Sequence, residues 1–331
     1  MRVLVVKMSS LGDVIHTLPA LTDAARAVSG IRFDWVVEEA FAEIPSWHPA
    51  VDRVIPVALR RWRKRPLHAL RGPEWRAARN KLQDRPYDAV IDAQGLLKSA
   101  FIVGQVPAPR YGMDWRTVRE RFATAAYQHR VNVPRDMHAV ERTRLLFARS
   151  LRYRVPKDRG DFGIRSNLAA GGGSTEPVIL FLHGSARPEK LWPQGHWETL
   201  GRLASGAGYR LALPWGNPEE HSRAQRISAA VPAAEVLPRM DLRQLADLLL
   251  RASGSVAVDT GLGHLAAALD IPTVSLYGPT SVRLIGAYGQ HQVHLESPAD
   301  RQVSRDPAAV MQAISATRVW QELQAILPGA D

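Results

Sequence analysis

Ser255-Val256-Ala257-Val258-Asp259-Thr260-Gly261-Leu262-Gly263-His264 reads as a strand that passes through a tight turn into a helix. Its apolar run lacks polar alternation, the mark of a parallel strand covered on both faces. The small residues after it let the backbone approach a ligand closely, and the first amides of the following helix favour an anion there. The same rhythm surrounds it. Strands are expected over 178–183, 210–213, 235–237 and 273–277, with helices over 195–204, 219–230, 242–251 and 263–269.

The first half repeats the pattern, with strands over 2–7, 33–37, 54–57 and 89–92 and helices over 14–28, 74–83 and 139–151. Pro19 should kink or restart the first of these helices, because it lacks the amide hydrogen of the helical ladder. Ala169-Ala170-Gly171-Gly172-Gly173-Ser174 has the composition of a flexible linker. The expected organisation is α/β: a Rossmann-like domain over 1–155, a linker over 156–177 and a second Rossmann-like domain over 178–331, its C-terminal helix free to return to the first. Open parallel sheets bind ligands beyond the carboxyl ends of their strands, so two facing domains place a cleft between those ends.

A chain of 331 residues suits two such domains. It has no run of roughly 18 apolar residues, and the apolar stretch 3–6 is too short for a signal peptide, so a cytoplasmic location is expected. The absence of cysteine excludes disulfides and thiolate chemistry. The net charge of +11 is unevenly placed: residues 1–155 hold 27 Lys and Arg against 15 Asp and Glu, whereas the remainder is nearly neutral. Such asymmetry is commonly a solvated face, but at this size it points to an anionic partner.

In the second half, Gly261-x-Gly263-x-x-Ala266 also fits a dinucleotide fingerprint. An NAD site, however, needs an acid at the end of the next strand, which instead ends Leu276-Tyr277-Gly278-Pro279-Thr280. The plain alternative is an ordinary turn with Asp259 as helix N-cap. The loop Gly184-Ser185-Ala186-Arg187-Pro188-Glu189-Lys190-Leu191-Trp192-Pro193 leaves another strand end, where Lys190 either meets a phosphate as a point charge or is simply a solvated lysine. There is no Asp-x-Asp pair of the kind many metal-dependent sugar transferases use. His183, His196 and His264 are too scattered to suggest a metal site. A diphosphate would then be neutralised by Lys190, helix dipoles and amides, and no metal cofactor is expected.

In the first half, Lys7-Met8-Ser9-Ser10-Leu11-Gly12-Asp13 carries a carboxylate to a helix start, where it can serve as a general base or merely cap the helix. Arg60-Arg61-Trp62-Arg63-Lys64-Arg65 suits phosphate or carboxylate recognition, guanidinium forks binding both groups and the indole lying on a ring; the alternative is a solvated basic loop. Lys98, after Asp92-Ala93-Gln94-Gly95, and Arg116, Arg119 and Arg121 extend the positive wall. No nucleic-acid motif is present, and nucleic acid is not expected as a partner.

These residues resemble the lipopolysaccharide heptosyltransferase I family, which has the GT-B fold. The resemblance covers nearly the whole chain and is carried by the segment from Lys7 to Pro19, Asp34-Trp35-Val36-Val37-Glu38-Glu39, Arg60 to Lys64, Asp92 to Gly95, Lys190-Leu191-Trp192-Pro193, Leu213-Pro214-Trp215-Gly216 and Val258 to Gly261. It implies inverting, metal-independent transfer of L-glycero-D-manno-heptose from ADP-heptose to the first Kdo of Kdo-lipid A, by an enzyme resting on the anionic inner face of the inner membrane. By the same likeness Asp13 is the base and Lys190 steadies the departing ADP. Ser185, Ala186, Glu220, Met240, Asp259, Thr260, Gly261, Leu262 and His264 are expected at the donor. Lys7, Ser10, Arg60, Arg61, Trp62, Arg63, Lys64, Lys98 and Arg119 are expected at the acceptor. The chain departs from the family at Ala186, where a hydroxyl is usual, and at Gly263, where Ser is usual. Transfer of the second heptose, or a nucleotide-sugar epimerase on the same fold, are the competing readings.

Overall fold

The computed structural model describes residues 1–64, 72–168, 177–298 and 307–328, so Arg65 and the 169–174 run lie outside the described residues. The chain forms two compact units, Met1–Asn167 and Leu168–Asp331. The division falls inside the stretch expected as a linker. Residues 160–167 pack on the first unit: Phe162 and Ile164 are buried, and the Asn167 amide donates to the Trp47 carbonyl at 2.9 Å.

In the first unit β1 (Arg2–Val6), β2 (Arg32–Glu38), β3 (Val51–Val57), β4 (Ala89–Asp92), β5 (Arg110–Met113) and β6 (His129–Val131) form one sheet in the order β3-β2-β1-β4-β5-β6. In the second unit β7 (Val178–Leu182), β8 (Arg210–Leu213), β9 (Ala234–Val236), β10 (Gly254–Val258), β11 (Thr273–Tyr277) and β12 (Gln292–Glu296) are ordered β12-β11-β10-β7-β8-β9. Every pairing is parallel. The central strands are buried along nearly their whole length, which is why they read as unbroken apolar runs.

Each sheet reverses its strand order once, between β1 and β4 in the first and between β7 and β10 in the second. At such a switch point the two neighbouring strand-to-helix connections diverge and leave a crevice at the carboxyl ends.

The first helix breaks as Pro19 requires: a short helix Leu11–Ile15 ends and Leu18–Ala27 restarts with the proline in its first turn, where no amide hydrogen is needed. Helix Ala139–Leu151 is tied to Leu18–Ala27 by a buried ion pair, Arg144 Nε to Asp23 Oδ2 at 2.6 Å. The C-terminal helix Ala316–Gln324 lays its apolar stripe into the core of the second unit, where Val319, Trp320 and Leu323 lie beside Trp197 and Val256.

Candidate active site

At the first switch point, the loop after β1 is held by the turn after β4. Asp92, fully buried, accepts from the amides of Gln94 and Gly95 through Oδ1 and from the Tyr127 hydroxyl through Oδ2 at 2.7 Å. That fixes Gln94, whose side-chain oxygen takes the Met8 amide at 2.9 Å and the Ser9 amide at 3.1 Å. Gly95 sits at φ +68°, and a Cβ there would stand 2.9 Å from Val118, so this turn can approach the segment bearing Arg119. The Ser9–Ser10 peptide is cis.

Asp13 lies in the first turn of helix Leu11–Ile15, capped by Ser10. Its Oδ2 accepts from the Ser10 amide and hydroxyl, both at 2.9 Å, while Oδ1 faces Lys7 Nζ at 3.5 Å. Burial works to raise the Asp13 carboxyl, but Lys7, the Ser10 donors and His16 outweigh it and hold it well below the usual carboxylate range. The capping and reactive readings are therefore compatible: one oxygen closes the helix, and the other belongs to a side chain still 35% exposed. Lys7 and Ser10, expected at the acceptor, direct their side chains to Asp13, and Lys7 Nζ also donates to the Ala93 carbonyl at 3.0 Å.

The basic segment divides. Arg61 binds Glu74 and Glu39 at 2.8 and 3.2 Å, and the Trp62 indole donates to Glu74 at 2.8 Å, so both are engaged within the unit rather than presented as an open cation and ring. Arg60 lies over the Phe41 ring, while Arg63 and Lys64 are exposed. Partial desolvation and the neighbouring guanidiniums of Arg60, Arg119 and Arg63 push Lys98 below its ordinary value, against the pull of Glu38. The fold thus assembles Lys98, Arg60, Arg63 and Arg119 into one positive field, with the Lys98 ammonium 3.3 Å from the Ser9 hydroxyl. Two supporting residues stand in motifs of the resemblance where sequence alone assigned them no role: Glu38, buried and accepting from the Arg60 amide at 3.1 Å, and Gln94, which grips the β1 loop. Both contacts join residues far apart in the chain.

At the second switch point, Lys190 Nζ binds Asp259 Oδ2 at 2.6 Å, and His264 Nε2 lies 3.7 Å from Oδ1. The Asp259 side chain is only 6% exposed. Burial would raise its carboxyl, yet His264 and Lys190 hold it well below the usual range. Asp259 is not the N-cap; Thr260 occupies that position of helix Gly261–Ala268. The Ser185 hydroxyl points to the Asp259 carbonyl at 3.4 Å, and Ala186 is exposed beside it. Glu220 packs against Gly184 and accepts from the Gly216 amide at 2.7 Å. Gly261, Leu262 and Met240 are half-buried, Met240 immediately before the Asp241 cap of helix Leu242–Arg251. A Cβ on Gly263 would stand 3.0 Å from Ala257, so this helix start sits closer to β10 than a serine would comfortably allow. His183 is fully buried against Trp197 with neither ring nitrogen hydrogen-bonded among the described residues; burial and Arg223 lower it to about 4. Lys190, Asp259 and His264 thus meet at the start of helix Gly261–Ala268, whose first amides favour an anion.

Two parallel six-stranded α/β units of this strand order are those of the GT-B fold. The chain belongs to glycosyltransferase family 9, the heptosyltransferases, whose model matches residues 75–314. It is 54% identical over 300 residues to lipopolysaccharide heptosyltransferase 1 of Pseudomonas aeruginosa, covering 90% of this chain and 84% of that protein. Its fold matches the E. coli heptosyltransferase WaaC with ADP at a TM-score of 0.91 and 47% identity, over 98% of this chain and 99% of that one. The same enzyme with ADP-2-deoxy-2-fluoro heptose matches at 0.87 and 46%, with the same coverage. The chain is therefore a transferase, which sets aside the epimerase and dehydrogenase readings.

Proposed function

We propose that this enzyme moves L-glycero-D-manno-heptose from ADP-heptose to the first Kdo of Kdo-lipid A, with inversion and without a metal ion, at the anionic inner face of the inner membrane. The observation that carries the reading is the pair of switch points in a chain so similar to a heptosyltransferase 1: a partly exposed carboxylate beside a basic field in one unit, a buried Lys-Asp-His turn in the other. Asp13 takes the proton of the Kdo hydroxyl as its oxygen attacks the anomeric carbon opposite the leaving group. The bond from that carbon to the ADP oxygen breaks, and its electron pair leaves with ADP. Lys190, His264 and the amides at Gly261 to Gly263 take up the charge that develops there, doing electrostatically what a divalent ion does elsewhere.

Arg60, Arg63, Lys98 and Arg119 meet the acceptor's carboxylate and phosphates, Lys64 adds to the field, and Arg61 and Trp62 serve mainly to hold the segment through Glu74. Arg60→Ala or Arg63→Ala is expected to raise the acceptor KM while ADP binding stays unchanged, and Arg61→Ala to act less.

The deciding experiment measures ADP release from ADP-heptose by chelator-treated enzyme. Release only when Kdo-lipid A is present supports the proposal. Release without acceptor would make the chain a hydrolase, release only on an acceptor already carrying heptose would assign the second transfer, and loss of turnover restored by a divalent ion would defeat metal independence.

A further inference from the structure

Large apolar side chains on a folded surface are usually scattered singly. Here Leu97, Phe101, Trp115 and Phe122, four of the exposed large apolar residues among those described, come from one stretch of the first unit, with Phe122 83% exposed. The fold draws them together. Leu97 and Phe101 share one face of helix Leu97–Val103, four residues apart. The 3-10 turn Arg121–Ala126, which carries Phe122, packs on that helix, and the Leu97 amide donates to Glu120 at 2.6 Å just before the turn. Trp115 joins through Arg121, whose guanidinium lies 5.9 Å from its ring centre, with Arg116 at 5.2 Å. Lys98 rises from the same helix and Arg119 from the same loop.

We propose that this aromatic face, ringed by cations, is the surface by which the enzyme docks on an anionic phospholipid bilayer. Exposed Trp and Phe among Arg and Lys are the combination that lies at the boundary of headgroups and acyl chains, the rings entering and the cations meeting phosphate. Charge complementarity selects the occupant: a protein groove would have to offer an apolar floor rimmed by acids, whereas an acidic membrane supplies both everywhere. Among the described residues no helix is long and apolar enough to cross a membrane, so attachment through this face would be reversible. The inference rests on the proposed function only in giving the docking a purpose, since Lys98 and Arg119 belong also to the proposed acceptor field.

The test uses the full-length protein and sedimentation with vesicles of phosphatidylcholine alone or with half phosphatidylglycerol. Binding is expected only to the acidic vesicles, to weaken with salt and to fall about tenfold or more in Phe122→Ser with Leu97→Ser. The same variant should keep wild-type turnover on a Kdo acceptor stripped of its acyl chains and lose turnover on Kdo-lipid A embedded in vesicles. Binding to neither vesicle, equal binding to both, unchanged binding by the variant, or a dimer in solution that the variant dissociates would overturn the docking face. Wild-type enzyme that binds acidic vesicles but turns over neither acceptor would defeat the proposed activity while leaving the face in place.

Discussion

Asp13 and Asp259 each follow a strand that borders its sheet's switch point, yet the Asp13 side chain is 35% exposed and that of Asp259 only 6%. Both carboxyls are held below the ordinary range. Their partners differ: Asp259 grips Lys190 at 2.6 Å, whereas the lysine facing Asp13 stands at 3.5 Å and is shared with the Ala93 carbonyl. An acid that exchanges a proton with a substrate must be reachable. An acid committed to a buried lysine is better placed to aim that lysine. Burial thus separates the two carboxylates: one stays open to solvent, and the other is committed to its lysine.

Removing the exposed acid should have the largest effect. Asp13→Ala is expected to lower kcat by about 10² to 10⁴, read from ADP release at saturating substrates; near-wild-type turnover would take the base away from this position. Removing the buried acid should show chiefly in stability. Asp259→Asn leaves Lys190 without its partner and should cost about 3 kcal/mol in urea unfolding, whereas Asp13→Asn should cost no more than about 1 kcal/mol because solvent replaces its contacts. Equal costs would mean that the difference in burial has no energetic weight.

Acid titration sharpens the contrast further. Because both aspartates have folded pKa values below their unfolded ones, their stabilisation is complete at neutral pH and is lost only as pH falls through the ordinary carboxylate range toward those folded values. Buried histidines act earlier. His48 in the first unit and His183 in the second are both lowered to about 4, so the unfolded chain, titrating near about 6.5, binds protons first and stability falls between those values. His48 holds Thr22 and the Ala50 amide, so replacing it would orphan both. His183 has no such partners, and His183→Leu should recover about 2–3 kcal/mol of the loss at pH 4.5, measured by denaturation at pH 7 and 4.5.

How much was legible follows from what each feature depends on. The buried central strands showed themselves as apolar runs, and Pro19 announced the helix break. Strands β5, β6 and β12 did not: Arg110-Tyr111-Gly112-Met113 and His129-Arg130-Val131 are very short, and Gln292-Val293-His294-Leu295-Glu296, though it alternates polar and apolar, lacks the unbroken apolar run that marked the other strands. The C-terminal helix showed its apolar stripe but not which sheet needed it. At the site, Asp13, Lys190 and Asp259 could be placed because strand ends can be read along the chain. Gln94 on the β1 loop and Asp259 on Lys190 could not, since each contact joins residues brought together by the sheet order, nor could Glu74 on Arg61, which depends on how two helices between β3 and β4 meet.

The most direct test of the division of labour is titration of ADP into Asp13→Ala and Lys190→Ala side by side. The account predicts wild-type affinity for Asp13→Ala and a loss of about tenfold or more for Lys190→Ala, whose charge would meet the diphosphate. Equal weakening in both, or full affinity retained by Lys190→Ala, would contradict it.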